Sequence, residues 1–346
     1  MLVRTYEIHN PAAPETITQL LDEADYIICA FSGGKDSIAQ VLWLIEQGYK
    51  SKIQLHHNLV DGWDDYFFDW KVTKDYCEKF AQCMNLPMYY SYRIGGFRGE
   101  ITRKNDRPKP MRFQYIAGGW GTSGGKTGKI RDMLQFPRVH KDLRYRWCSS
   151  TLKITCMNAF ISAQPEFENK KLVICTGERG QESPGRKKYQ QIQIHTTNCN
   201  TRFVQHIRPV LDWREETVWL IMRKWGIVPH AAYYLNFSRC SCRSCIFYDN
   251  DALKRLSIID PDIIEEIADY EIEFDKTIDY DKTRARKGLH QLNVAERAEL
   301  GTSPLLDQDW IAIANSETWD IPIKVHPKEW MLPPGAFKKK QKNGAP

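Results

Sequence analysis

Residues 26–47 read YIICAFSGGKDSIAQVLWLIEQ, and their reading decides the fold. YIICAF (26–31) is a short run of β-branched and aromatic residues, the length of a buried strand. IAQVLWLIEQ (38–47) places apolar residues three and four apart, as a helix does. Between them stands SGGKDS (32–37). Gly33 and Gly34 allow left-handed backbone and close approach of a ligand, because no Cβ intervenes. Successive N–H groups in such a turn, leading into a helix N-terminus, form a concavity for anions. Ser32 and Ser37 add hydroxyls and Lys35 a point charge, while Asp36 is placed either to hold Mg²⁺ or to orient the loop. The loop sits at the carboxyl end of the first strand, where open α/β sheets bind ligands.

Working outward, KIQLHHNLV (52–60), PMYYSYRI (87–94) and KLVICTG (171–177) repeat the strand pattern. WDDYFFDWKVTKDYCEKFAQCM (63–84) and STLKITCMNAFISA (150–163) have helical periodicity. QHIRPVLDW (205–213) precedes TVWLIMRKWG (217–226), a helix with a glycine stop. Strands separated by helices imply right-handed crossovers and a doubly wound parallel sheet. DALKRLSIID (251–260) and DIIEEIADYEIEFDKTI (262–278) predict a smaller, mainly helical C-terminal region. The expected division is a nucleotide-binding α/β domain over 1–230, a cysteine-cluster and helical region over 231–335, and a disordered basic tail over 336–346.

At 346 residues, with 42% hydrophobic and 27% charged side chains, the chain can bury a large core. No apolar run approaches membrane-spanning length and no signal peptide is evident, so a cytoplasmic location is expected. The net charge of +6 is unevenly placed: residues 96–146 hold thirteen Lys or Arg against four Asp or Glu. This segment, an insertion at about 95–147, is too long for an ordinary connection and carries interleaved Phe, Tyr and Trp. It reads either as a surface that tracks a polyanion, nucleic acid above all, or as a solvated insertion. Within it GTSGGKTGK (121–129) lacks the first glycine of a Walker loop, since position 120 is Trp.

SGGKDS after a strand resembles the pyrophosphate loop of the adenine nucleotide alpha-hydrolase superfamily, whose members cleave ATP between the α- and β-phosphates. With RWCSSTLKI (146–154), TGERGQESPGR (176–186), RPVLDWREETVWLIMRKWGI (208–227) and RCSCRSCIF (239–247), in that order, the chain resembles the phosphoadenosine phosphosulfate reductase-like family. The nearest branch in pattern holds the sulfur-transfer proteins of DNA phosphorothioation and their phage relatives. The resemblance covers roughly residues 20–250 and implies a nucleotide site built from Ser32, Gly33, Gly34, Lys35, Asp36 and Ser37. Gly177, Arg179, Glu182, Ser183 and Arg186 would form its second wall, and Arg146 and Lys153 would extend it. Lys35, Asp36 and Arg179 are the expected catalytic residues.

Ten cysteines are present, and three crowd together as Cys240, Cys242 and Cys245. In the iron–sulfur members of the family a cysteine before the Lys block joins a late Cys-x-x-Cys. Cys148, Cys242 and Cys245 match that pattern, residue 149 is Ser where the family has a second cysteine, and Cys240 is available as a fourth thiolate. The resemblance thus implies a [4Fe–4S] cluster, with zinc or reduced, packed thiols as alternatives. No cysteine follows Cys245, so the family's C-terminal Glu-Cys-Gly nucleophile is missing. The expected activity is therefore an ATP-consuming adenylation with sulfur transfer, drawing on a sulfur-donor or redox protein. A sulfonucleotide reductase (of PAPS or APS) that borrows a partner thiol, or a nucleotide-sensing subunit, stands as the alternative.

Overall fold

The computed structural model describes residues 15–140, 144–240 and 242–337. Eight strands occur in chain order: β1 (Tyr26–Ala30), β2 (Ile53–Asn58), β3 (Met88–Arg93), β4 (Met111–Gln114), β5 (Trp120–Ser123), β6 (Lys171–Cys175), β7 (Ile192–Ile194) and β8 (Phe203–Ile207). They form one sheet in the order β5-β4-β3-β2-β1-β6-β8-β7. Strands β3, β2, β1, β6 and β8 are parallel, and β4, β5 and β7 pair antiparallel at the two edges. The doubly wound α/β class is as expected.

The central strand has neighbours on both edges and helices over both faces. This is why Ile27, Ile28 and Cys29 are all fully buried and the run is continuously apolar instead of alternating. The chain leaves β1 to build β2 on one side and returns through β6 on the other. A topological switch point therefore opens at the carboxyl end of β1, directly above Ser32–Ser37. The helix Lys35–Glu46 starts there and buries nearly its whole length. It packs beside the helix Glu215–Trp225, which stops on Gly226 at φ +67°.

Three elements differ from the sequence reading. The helix expected over 63–84 begins only at Thr73, because Asp61 and Asp69 bond the intervening backbone: Asp61 Oδ2 accepts the Phe68 and Asp69 N–H groups (2.7 Å each). The 95–147 segment is not one long loop; the short helix Gly96–Ile101 and the β4–β5 hairpin extend the sheet from β3. The helix around Lys153 opens into a wide π turn at Ser150–Ile154, where the Thr155 hydroxyl donates to Ser150 O (2.7 Å).

The C-terminal region is helical, with Asn250–Ile259, Pro261–Glu273, Lys282–Arg286, Val294–Glu299 and Gln308–Asn315. One cluster of buried side chains nevertheless runs from Ile17 to Trp330, across residue 230. Of the tail expected over 336–346, residues 338–346 lie outside the described residues. Just before it, the Gly335 N–H donates to Tyr233 O (2.8 Å), and Gly335 lies so close to Phe237 O that a Cβ would stand 2.2 Å from it.

Candidate functional site: a glycine loop at the sheet switch point

Gly33 adopts φ +71° and closes the turn against Tyr76 and Cys77, so the loop is packed from behind. Two of its donors are used internally: Ser32 N–H bonds Ser37 Oγ (3.3 Å) and Lys35 N–H bonds the Tyr233 hydroxyl (3.0 Å). Lys35 is 3% exposed, with its ammonium 3.1 Å from Asp36 Oδ2, 3.3 Å from Ser238 O and 3.7 Å from Glu215 Oε1. The rings of Trp219 and Tyr233 stand about it at 6.0 and 5.7 Å. Lys35 is thus held inward, against carboxylates.

The loop after β6 meets this turn directly. A Cβ on Gly177 would lie 2.5 Å from Asp36 O, so only glycine lets the two loops abut. Arg179, 1% exposed, donates through Nε to Asp36 Oδ1. Burial alone would raise the Asp36 carboxyl, but Lys35 and Arg179 outweigh it and hold it down at about 2. Each carboxylate oxygen of Asp36 accepts from one of these cations, so Asp36 ties the glycine loop to the loop after β6. Glu182 accepts the Arg179 N–H (3.1 Å) and also pairs with Arg186, whose own N–H reaches Ser183 Oγ (3.2 Å). Ser32, Gly33, Gly34, Lys35, Asp36, Ser37, Gly177, Arg179, Glu182, Ser183 and Arg186 are thereby brought into one continuous surface.

The cysteines divide. Cys148, Cys242 and Cys245 lie within electrostatic reach of one another, and Lys153 Nζ is 3.7 Å from Cys242 Sγ. Cys240 turns away: its Sγ approaches Ser32 O (3.8 Å) and packs beneath Gly34. Burial pushes the Cys148 thiol up to about 11 and the Cys240 thiol up to about 12. Among the described residues, no three Cys, His, Asp or Glu side chains have metal-holding geometry. Among the described residues, the four thiols expected to hold a [4Fe–4S] cluster or zinc, Cys148, Cys240, Cys242 and Cys245, are not gathered into one metal-holding group. The physical reason is that Cys240 turns toward the glycine loop and away from the other three.

Several neighbours had no sequence signal. Tyr233, Glu215 and Trp219 around Lys35 belong to common helical patterns. Asp69 is half-buried, and desolvation raises its carboxyl, with Lys153 and the Trp70 N–H opposing. His57 donates through Nδ1–H to Phe31 O (2.8 Å), while its buried Nε2 has no partner. Arg239, overlooked beside the cysteines, lies between Ser238 and Cys240 at the loop.

The basic segment is partly structural. Arg103 is 4% exposed and bonds Glu100 (3.3 Å) and Asp106 O (2.9 Å), and Arg98 pairs with Asp65 (2.9 Å) and Glu266. Lys104, Arg107, Lys109, Arg112, Lys126, Lys129, Arg131 and Arg138 remain exposed on and around the hairpin. No described helix is long and apolar enough to cross a membrane.

Residues 132–247 match the phosphoadenosine phosphosulfate reductase domain family. The match takes in the Cys148, Gly177–Arg186, Arg208–Ile227 and Arg239–Phe247 blocks, and the glycine loop lies upstream of it. A protein of Escherichia phage 186, described as an uncharacterized 37.8 kDa protein in the gpa 5' region, is 28% identical over 275 residues, 72% of this chain and 75% of the relative. Among solved structures, the FMN adenylyltransferase of Candida glabrata with FAD and inorganic pyrophosphate is 13% identical, covering 62% of this chain and 52% of its own, with TM-score 0.34. The same enzyme with ATP is 13% identical, covering 65% and 60%, with TM-score 0.31. The chain thus spans about half to three fifths of these structures, and superpositions at that level carry no argument. Residues 132–247 are thus similar to the phosphoadenosine phosphosulfate reductase domain, and the glycine loop stands at the sheet switch point upstream of them.

Proposed function

We propose that the chain binds ATP at Ser32–Ser37 and cleaves it between the α- and β-phosphates to adenylate an acceptor. The observation that carries this reading is the contact of Gly177 and Arg179 with Asp36, which joins two strand-end loops into one wall at the switch point. An acceptor oxygen attacks the α-phosphorus, the Pα–O bond to the β-phosphate breaks, and pyrophosphate leaves with the electron pair. ATP arrives with Mg²⁺, which offsets charge on the departing pyrophosphate. The unused amides of the loop and the Arg179 guanidinium supply fixed donors to the same charge. Lys35, released from Glu215 and Ser238, is the mobile cation of the site.

The adenylated oxygen then leaves as AMP when the terminal sulfur of a donor-protein persulfide attacks, and a second thiol of the donor cleaves the resulting S–S bond, leaving the sulfur on the acceptor and a disulfide on the donor. The exposed cations of the β4–β5 hairpin favour a nucleic-acid acceptor. The test is pyrophosphate release from Mg-ATP by the full chain, with and without DNA or RNA. Release stimulated by nucleic acid supports the reading; the family match favours a second one, sulfonucleotide reduction with a partner thiol. Turnover of phosphoadenosine phosphosulfate with added thiol, and none of ATP, would establish that alternative. Tight ATP binding with no turnover of either would make the chain a sensor.

A further inference from the structure

The β4–β5 hairpin carries a cluster of aromatic rings away from the glycine loop. Residues opposite one another on neighbouring strands point to the same side of a sheet, and alternate residues of a strand share that side. The register sets Arg112 opposite both Tyr92 and Thr122, and Gln114 opposite Trp120, so Tyr90, Tyr92, Arg112, Trp120 and Thr122 lie on one face. Phe113 points to the other face, where it joins Phe160 in a buried cluster. Trp63, from the segment after β2, folds onto the first face. Its ring meets Trp120 edge-on at 5.1 Å (87°) and Tyr90 at 5.8 Å (89°), and Tyr92 meets Trp120 at 5.8 Å (69°). Tyr90 and Tyr92 are buried, while Trp63 and Trp120 are only half-buried. The tyrosines thus make a floor that fixes two indole rings at the surface.

Each indole also has a cation over its ring. Lys74 Nζ stands 3.8 Å from the Trp63 centroid, and Arg112 Cζ 5.2 Å from that of Trp120. Neither cation makes an ion pair among the described residues. Strand β5 is the edge of the sheet, and Arg112, Thr122, Lys126 and Lys129 on and after the hairpin are exposed. Partly exposed aromatic rings stack nucleobases, and cations beside them meet the flanking phosphates. Bases of a duplex are stacked on one another and closed to such rings, whereas an unpaired strand presents its base faces. We propose that Trp63 and Trp120, with Lys74 and Arg112, form a stacking platform for the unpaired bases of a single-stranded nucleic acid. Trp63 follows β2 at the carboxyl edge where Ser32–Ser37 follows β1, so the platform and the nucleotide site share one edge of the sheet. The inference rests on the preceding reading in taking nucleic acid as the acceptor, and deepens it by making that acceptor unpaired.

The test is fluorescence anisotropy of labelled probes with the full chain in the absence of ATP. The probes are a single strand of about 12 nucleotides, its duplex, and a strand of equal length in which every base is removed. DNA and RNA versions of the single strand separate the two sources of the same chemistry. The proposal predicts that the single strand binds more tightly than the duplex, and about tenfold or more tightly than the abasic strand. Trp63→Ala and Trp120→Ala each weaken the single strand about tenfold and leave the abasic strand unchanged, because phosphate contacts do not need the rings. Equal affinity for base-bearing and abasic strands, preference for the duplex, or wild-type binding by both tryptophan variants would overturn it. So would a dimer in light scattering that is lost in Trp120→Ala while no strand binds, since the face would then pair with a second copy. Should a variant fail to fold, the wild-type comparison of base-bearing and abasic strands still decides. Pyrophosphate release is assayed separately. Selective strand binding with no turnover of ATP leaves the platform standing and removes the adenylation reading; turnover without that selectivity removes the platform alone.

Discussion

Replacing Gly177 by alanine adds one methyl group at the seam between the two loops. The new Cβ would stand 2.5 Å from Asp36 O, 2.6 Å from Asp36 C and 2.9 Å from Ser37 N, all backbone atoms with no rotamer to yield. Restoring ordinary contact moves one loop by roughly 0.9 Å, since carbon contacts begin near 3.4 Å. Overpacking of this kind costs about 1–3 kcal/mol, a fall of several degrees in melting temperature for a chain of this size. The functional loss is larger, because a misplacement of about 1 Å in a positioning element can reduce turnover roughly 100-fold. The assays are differential scanning calorimetry, titration with a non-hydrolysable ATP analogue, and pyrophosphate release. Wild-type nucleotide affinity and turnover in Gly177→Ala would refute the claim that this seam shapes the site.

Further consequences are testable. Asp36 has a folded pKa of about 2, below its unfolded value, so its stabilising pair is fully present above about pH 4 and is lost as pH falls toward 2. Its removal in Asp36→Asn lowers stability by about 2–3 kcal/mol at pH 7, and the gap to wild type closes in denaturant melts at pH 2. Arg103→Met breaks a buried pair with Glu100 and destabilises by about 3–5 kcal/mol in urea melts. Lys126→Ala with Lys129→Ala leaves stability unchanged and lowers the slope of log affinity for DNA against log salt by about 2. In native protein at pH 8, iodoacetamide labels exposed Cys199, whose thiol the Thr201 hydroxyl lowers, well before Cys148 and Cys240, which burial keeps protonated. Peptide mass spectrometry gives the order.

The sheet was legible because parallel, two-sided burial leaves continuous apolar runs such as YIICAF and KLVIC, and punctuating glycines mark their ends. The hairpin over Met111–Ser123 was not, since its strands are four residues each and lie in a run of Gly, Pro and basic residues. The start of the helix at Thr73 was hidden because side chains of Asp61 and Asp69, not periodicity, decide where the backbone turns helical. At the site, SGGKDS and TGERGQES carry local signals, so the loop and its second wall could be assigned by pattern. Tyr233, Glu215 and Arg239 reach that loop from distant segments, and only packing brings them there. Cys240 misled for the same reason: spacing places three thiols in one turn, but the direction of each side chain divides them.

The central claim is that the Ser32–Ser37 loop, joined to Arg179, grips the phosphates of an adenine nucleotide. Titrating a non-hydrolysable ATP analogue into wild type and Arg179→Lys tests it most directly. The account predicts one saturable site per chain, weakened about tenfold or more in the variant, whose ammonium cannot make the same guanidinium contacts. Equal affinity in the two proteins, or no binding to either, would contradict it.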